Sequence, residues 1–153
     1  MEYGTIEREI YVDATPEIVF AVVSSPDHLK HWWPDDARFS PAPGSAGEIV
    51  FGDPADGGKV VPLTVVEARA PRTFSFRWDY PPGESATTGN SLLVTFDLTP
   101  SGAGTLLKMT ETGFREQGWE AAVLEEQYQD HATGWAHFLP RLIPYVATLR
   151  VRP

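Results

Sequence analysis

The chain contains no cysteine. That excludes disulfides, thiolate nucleophiles and cysteine-bearing metal sites together. Positive charge is also scarce: 12 Lys and Arg stand against 21 Asp and Glu, a formal net charge of −9, and the basic residues are scattered. Nucleic acids and anionic membrane surfaces are held by clustered cations, so neither is expected as a partner. No run of 18 apolar residues occurs, and the segment Met1-Glu2-Tyr3-Gly4-Thr5-Ile6-Glu7-Arg8 lacks the apolar core of a secretion signal. A Gly-rich phosphate loop, a nucleophile-elbow serine and a His-Glu-x-x-His zinc motif are absent too. What these absences leave is a cytoplasmic protein. A length of 153 residues, 42% hydrophobic and 22% charged, describes one globular domain spanning 1–153.

Strand and helix periods alternate in a definite order. Thr5 to Val12 alternates with Ile6, Arg8, Ile10 and Val12 on one side, which predicts a strand. Thr15-Pro16-Glu17 is a helix start, with a hydroxyl cap, proline at the first helical position and an acid in the first turn. The apolar stripe of that helix is Ile18, Val19, Val22 and Val23. Ser25-Pro26-Asp27 repeats the signal for a second short helix, running to about Trp32. Strands are then predicted at 48–51, 59–68, 73–78, 91–98 and 105–112, with a hairpin turn over Pro100 to Gly104. Asp79 to Asn90, with two prolines and two glycines, predicts a mobile loop. Finally Leu124, Tyr128, His131, Trp135, Phe138 and Leu142 are spaced 4, 3, 4, 3 and 4, one long helical stripe that Pro140 and Pro144 should kink or end. A helix with one apolar stripe must cover a sheet face. The expectation is an α+β helix-grip fold: a curved antiparallel sheet of about six to seven strands, two short helices after strand 1, and a long C-terminal helix.

Glu111 is the most informative polar residue. It shares a strand face with Thr105, Leu107 and Met109, so an inward face would carry its carboxylate into a cavity as an acid, a base or a ligand anchor. The alternative is a strand-end carboxylate, solvated or paired with Arg72, Arg77 or Arg115. His131 lies four residues before Trp135 on the helical stripe, as a ligand-polarising histidine or as one bonded within a core. His28 and His31, three apart near Asp27, Asp35 and Asp36, lack a third fixed ligand, so no metal is expected. Two adjacent tryptophans, Trp32 and Trp33, either cap the mouth of a hollow or finish a core. With Phe51, Phe74, Phe76, Trp78, Phe96, Met109, Tyr128 and Phe138 they complete the candidate lining of a cavity that also holds Glu111, His131 and Trp135.

Several separated segments carry a family resemblance. Pro16-Glu17-Ile18-Val19-Phe20, Pro26 to Pro34 with its paired tryptophans, and Ala70-Pro71-Arg72-Thr73-Phe74 with Trp78 are three of them. Others are Val94 to Pro100, Gly104 to Leu107, Thr112-Gly113-Phe114, and Gly134-Trp135 with Leu139 and Leu142. In this order the chain resembles the domains similar to the activator of the heat-shock protein 90 ATPase, within the START-like, birch-pollen-allergen-like (SRPBCC) superfamily. It departs from them at Pro34, where many relatives have glycine, at Ala70, and at Glu111, where histidine is frequent. The resemblance implies a cavity protein without cofactor that binds an apolar or aromatic small molecule between sheet and helix, with a homodimer left open. Two alternatives remain at this point. One is a cofactor-independent cyclase or hydrolase using Glu111 and His131, oriented by Arg77 or Tyr128. The other is a chaperone-associated interaction domain.

Overall fold

The computed structural model describes residues 3–150. Seven strands form one antiparallel sheet: β1 (Thr5–Val12), β2 (Asp36–Arg38), β3 (Ala46–Phe51), β4 (Lys59–Arg69), β5 (Thr73–Trp78), β6 (Leu92–Ser101) and β7 (Gly104–Thr112). Their order is β1-β7-β6-β5-β4-β3-β2, so only the β1 to β7 pairing joins strands far apart in sequence. Every strand from β2 to β7 pairs with the next, which is the hairpin-linked run the turn residues imply. The turn between β6 and β7 shrinks to Gly102-Ala103, because Pro100 and Ser101 stay in register with Thr105 and Gly104. Strand β2 is the unpredicted element: three residues carry too little alternation to be seen in sequence.

Helix α1 (Pro16–Ser24) starts as predicted, with the Thr15 hydroxyl accepting from the Ile18 N–H and proline in the first turn. Its buried stripe is Val19, Val22 and Val23. Ile18, expected on that stripe, is exposed. Helix α2 (Pro26–Leu29) is shorter than expected and ends three residues before Trp32. The long C-terminal element divides at Pro140 into α3 (Ala121–Phe138), a 3₁₀ turn (Leu139–Arg141) and α4 (Leu142–Arg150), whereas Pro144, expected to kink or end the helix too, is taken into the first turn of α4.

The concave face of the sheet holds the core. Leu63, Val65, Phe74, Phe76, Val94, Phe96, Leu107 and Met109 are fully or almost fully buried there beneath α1 and the C-terminal helices. Trp32 belongs to this packed interior, with its indole N–H donating to the Val22 carbonyl at 3.0 Å. The covering helices close unevenly. Trp135, Leu139, Leu142 and Val146 are buried, whereas α3 from Leu124 to His131 has no fully buried residue. The first half of α3 therefore stands over the sheet without sealing it. No helix among the described residues is long and apolar enough to cross a membrane.

Candidate functional site

One cross-strand row explains the site. Ile6 on β1, Glu111 on β7, Val94 on β6, Phe76 on β5 and Val65 on β4 are successive register partners. All face the core, and the other four are apolar. The period of two along β7 thus drives a carboxylate into the interior, where Glu111 has 0% of its surface exposed. An unpaired buried charge costs several kcal/mol, so it must be met by donors or by an opposite charge.

Three donors meet it. Trp78, at the end of β5, donates its indole N–H to Glu111 Oε2 at 2.8 Å, and Trp135 of α3 donates to Oε1 at 2.8 Å. His131, one helical turn before Trp135, places Nδ1 at 3.1 Å from both oxygens. With N–H donors on every side the carboxyl serves only as an acceptor, which is the ionised form. The alternative reading, a solvated or arginine-paired carboxylate, is not what forms. Arg77 alternates to the other side of β5 and reaches Ser91, and the indoles and the imidazole take its place.

The imidazole has a second carboxylate on its far edge. Asp79 Oδ2 lies 3.7 Å from His131 Nε2, an ion-pair distance longer than a hydrogen bond. Burial works against a charged His131, but Asp79 and Glu111 outweigh it and push its pKa up to about 10. The interaction with His131 in turn holds Asp79 below the usual carboxylate range, against the opposing effect of its partial burial. At neutral pH the line is carboxylate, imidazolium, carboxylate.

The His131 and Asp79 end of this line borders a cleft of about 370 Å³ that opens to solvent between the sheet and the second half of α3. Trp33, Phe51, Trp78, Trp135 and Phe138 supply aromatic walls, while Lys59, Asp79, Gln127, Asp130 and His131 add polar groups. The rings are braced on one another: Trp33 lies 4.9 Å from Trp135, 5.1 Å from Trp78 and 5.9 Å from Phe51, centroid to centroid. Among the described residues no group of three or more histidines and carboxylates is arranged to hold a metal ion.

The family described as activator of Hsp90 ATPase homolog 1-like protein matches residues 13–147. The chain belongs to this family. Solved structures agree on the fold. A Mesorhizobium loti protein is 24% identical over 97% of this chain and 99% of its own, with a TM-score of 0.73. The Aha1 dimer from Colwellia psychrerythraea is 21% identical over 93% and 95%, with a TM-score of 0.70. A Nitrosomonas europaea protein is 14% identical over 97% of both chains, with a TM-score of 0.74. No curated protein matches the chain significantly.

In this family member eleven of the thirteen predicted site residues divide into two groups, and Glu111 and Tyr128 stand outside both. Trp33, Phe51, Trp78, His131, Trp135 and Phe138 come together around the cleft. Trp32, Phe74, Phe76, Phe96 and Met109 pack the solid core instead, away from the end of β5 where Trp78 reaches the cleft. Glu111 is behind the wall, bonded to three of the residues that line it, Trp78, His131 and Trp135. Tyr128 turns away, its hydroxyl donating to the Thr5 carbonyl at 2.9 Å, so neither it nor Arg77 orients Glu111 or His131. His28 bonds the Tyr145 hydroxyl at 2.6 Å and His31 stacks on that ring, which uses both in packing. The loop after Asp79 is tied down more than its composition implies. Tyr80 is buried and shares a 2.6 Å bond with the Thr64 hydroxyl, and the Gln117 amide donates to the carbonyls of Thr88, Ser91 and Gly113.

Lys59, Val61, Asp79, Gln127, Asp130 and Gly134 complete the cleft but were not expected there. Gln127, His131, Gly134 and Phe138 do carry a readable signal, a second helical stripe spaced 4, 3 and 4 beside the apolar one. Gly134 adds another, since a methyl group built on it meets nothing within 4 Å. Glycine inside a helix costs about 0.5–1 kcal/mol relative to alanine. Gly134→Ala should therefore raise the urea midpoint by a stability gain in that range while narrowing the cleft.

Proposed function

We propose that this domain binds a small apolar or aromatic molecule in the cleft between the sheet and α3. The observation that carries the reading is the combination of aromatic walls, a volume of about 370 Å³ and a buried donor at the floor. Small-molecule sites combine an apolar lining of some 300–1,000 Å³ with few, fixed polar groups in about this way. Membership of the family and the shared fold support it.

A binding role is better supported than catalysis by Glu111 and His131. A general base must be able to accept a proton near the working pH. His131 keeps its proton to about pH 10, and both oxygens of the fully buried Glu111 already accept N–H groups. The pair is thus built to present a fixed donor.

The test uses a plug. Gly134→Leu fills open space and improves helix propensity, so the variant should fold. N-phenyl-1-naphthylamine should bind the wild-type protein saturably with one site by fluorescence titration, and Gly134→Leu should abolish that binding. No binding by the wild type, or equal binding by the plugged variant, overturns the reading.

A further inference from the structure

His131 is the feature that says more about the ligand. Its side chain is only 8% exposed, Nδ1 is committed to Glu111, and Nε2 is directed to the cleft side, where Asp79 stands 3.7 Å away. That distance leaves the charged N–H short of a full hydrogen bond to Asp79, although a charge-assisted one would close to about 2.7–2.9 Å; since no buried side-chain N or O among the described residues lacks a partner, Nε2 is open to the cleft rather than sealed. Asp79 also stands at a special backbone position. It follows the last residue of β5 in the left-handed region, at φ 64°, and its side chain is half exposed. Few residues other than glycine adopt that conformation, with Asp and Asn the usual exceptions. The chain therefore holds a carboxylate of its own at the mouth of the cleft without seating it.

We propose, building on the cleft as a ligand site, that the ligand carries a carboxylate on its aromatic or apolar body. Its oxygen takes the place of Asp79 at His131 Nε2, so Asp79 is the chain's own stand-in for the ligand head. Charge accounting favours an acid. A carboxylate that replaces Asp79 exchanges one anion for another beside the same cation, and turns a long contact into a short one. Lys59, on the same cleft, gives a second positive group toward which either carboxylate can turn. An organic cation could pair with Asp79 or Asp130, but it would face Lys59 and the imidazolium and would offer His131 Nε2 no acceptor. A neutral amide could accept from Nε2 but would displace an ion pair with an uncharged group. Asp130, exposed on α3 at the same cleft, and the displaced Asp79 are the anions that the ligand head must avoid.

Three probes of one shape separate these cases: 1-naphthylacetate, 1-naphthylacetamide and 1-naphthylmethylamine, titrated by calorimetry into the wild type and Asp79→Asn. The wild type should prefer the acetate over the amide by on the order of tenfold, the difference between a charge-assisted and a neutral hydrogen bond. Asp79→Asn removes the competing anion, so it should tighten the acetate about another tenfold and leave the amide nearly unchanged. His131→Gln, checked for folding by circular dichroism, should erase the preference for the acid. Preference for the amine, or an acetate affinity that Asp79→Asn does not raise, overturns the proposal. Equal binding of all three probes overturns it while leaving the cleft as an apolar site; binding of none overturns both readings.

Discussion

Glu111→Gln should cost about 3–5 kcal/mol of folding stability at neutral pH, the usual loss when one partner of a buried ion pair is removed. The side chain is fully buried and receives N–H groups from Trp78, Trp135 and His131. A glutamine offers one acceptor oxygen in place of two, and its own NH₂ faces donors it cannot satisfy. The loss should also depend on pH in a definite direction. His131 is raised from 6.5 to about 10, so its contribution is fully present below pH 6.5 and is lost as pH rises toward 10. The gap between wild type and Glu111→Gln should accordingly be widest below pH 6.5 and shrink toward pH 10. Urea unfolding at several pH values measures it. A double variant, Glu111→Leu with His131→Leu, should recover part of the loss, because no charge is then stranded, but not all of it, because two indole N–H groups lose their acceptor.

Trp135→Ala is the second large effect, about 3–5 kcal/mol. The ring is 3% exposed and packs against Trp33, Phe96 and Trp78 at centroid distances of 4.9, 6.1 and 6.4 Å. Its N–H holds one oxygen of Glu111. Removing it opens the floor of the cleft into the space the indole filled, so binding of naphthalene probes should change along with stability. Trp119→Ala is the control, since Trp119 precedes α3 and is only partly buried against the core. Equal losses in thermal unfolding and equal shifts in probe affinity for the two variants would show that the register of α3 over the sheet is wrong.

These two residues also mark how far sequence reading reached. Period-two alternation on β7 and period-3.6 spacing on α3 are local properties; they put Trp135 on the apolar stripe and grouped Glu111 with Thr105, Leu107 and Met109, but left open whether that face of β7 points inward. What meets Glu111 is not local. Trp78 lies 33 residues away and His131 lies 20 away, brought together by the sheet register and by where α3 crosses it. Arginines were the partners that composition suggested, but Arg77 is one residue from Trp78 and so on the opposite face. The paired tryptophans show the same limit. Sequence offered a core role or a mouth role for both, and the short turn after α2 gives one role to each: Trp32 enters the core and Trp33 lines the cleft. Asp79 was readable only as the start of a loop. Its left-handed backbone is decided by the exit from β5, where its N–H bonds the Pro62 carbonyl at 3.2 Å.

The stability of the Glu111 cluster and the chemistry of the cleft both depend on a histidine that stays charged. Heteronuclear NMR of the protein with ¹⁵N-labelled histidine, followed from pH 5 to 10.5, reads the protonation of the His131 ring directly. Both ring nitrogens should keep the shifts of an imidazolium through neutral pH and move only near pH 10. A His131 ring that titrates near its ordinary value of 6.5 would contradict the account, leaving Glu111 without its cation and the cleft without its fixed donor.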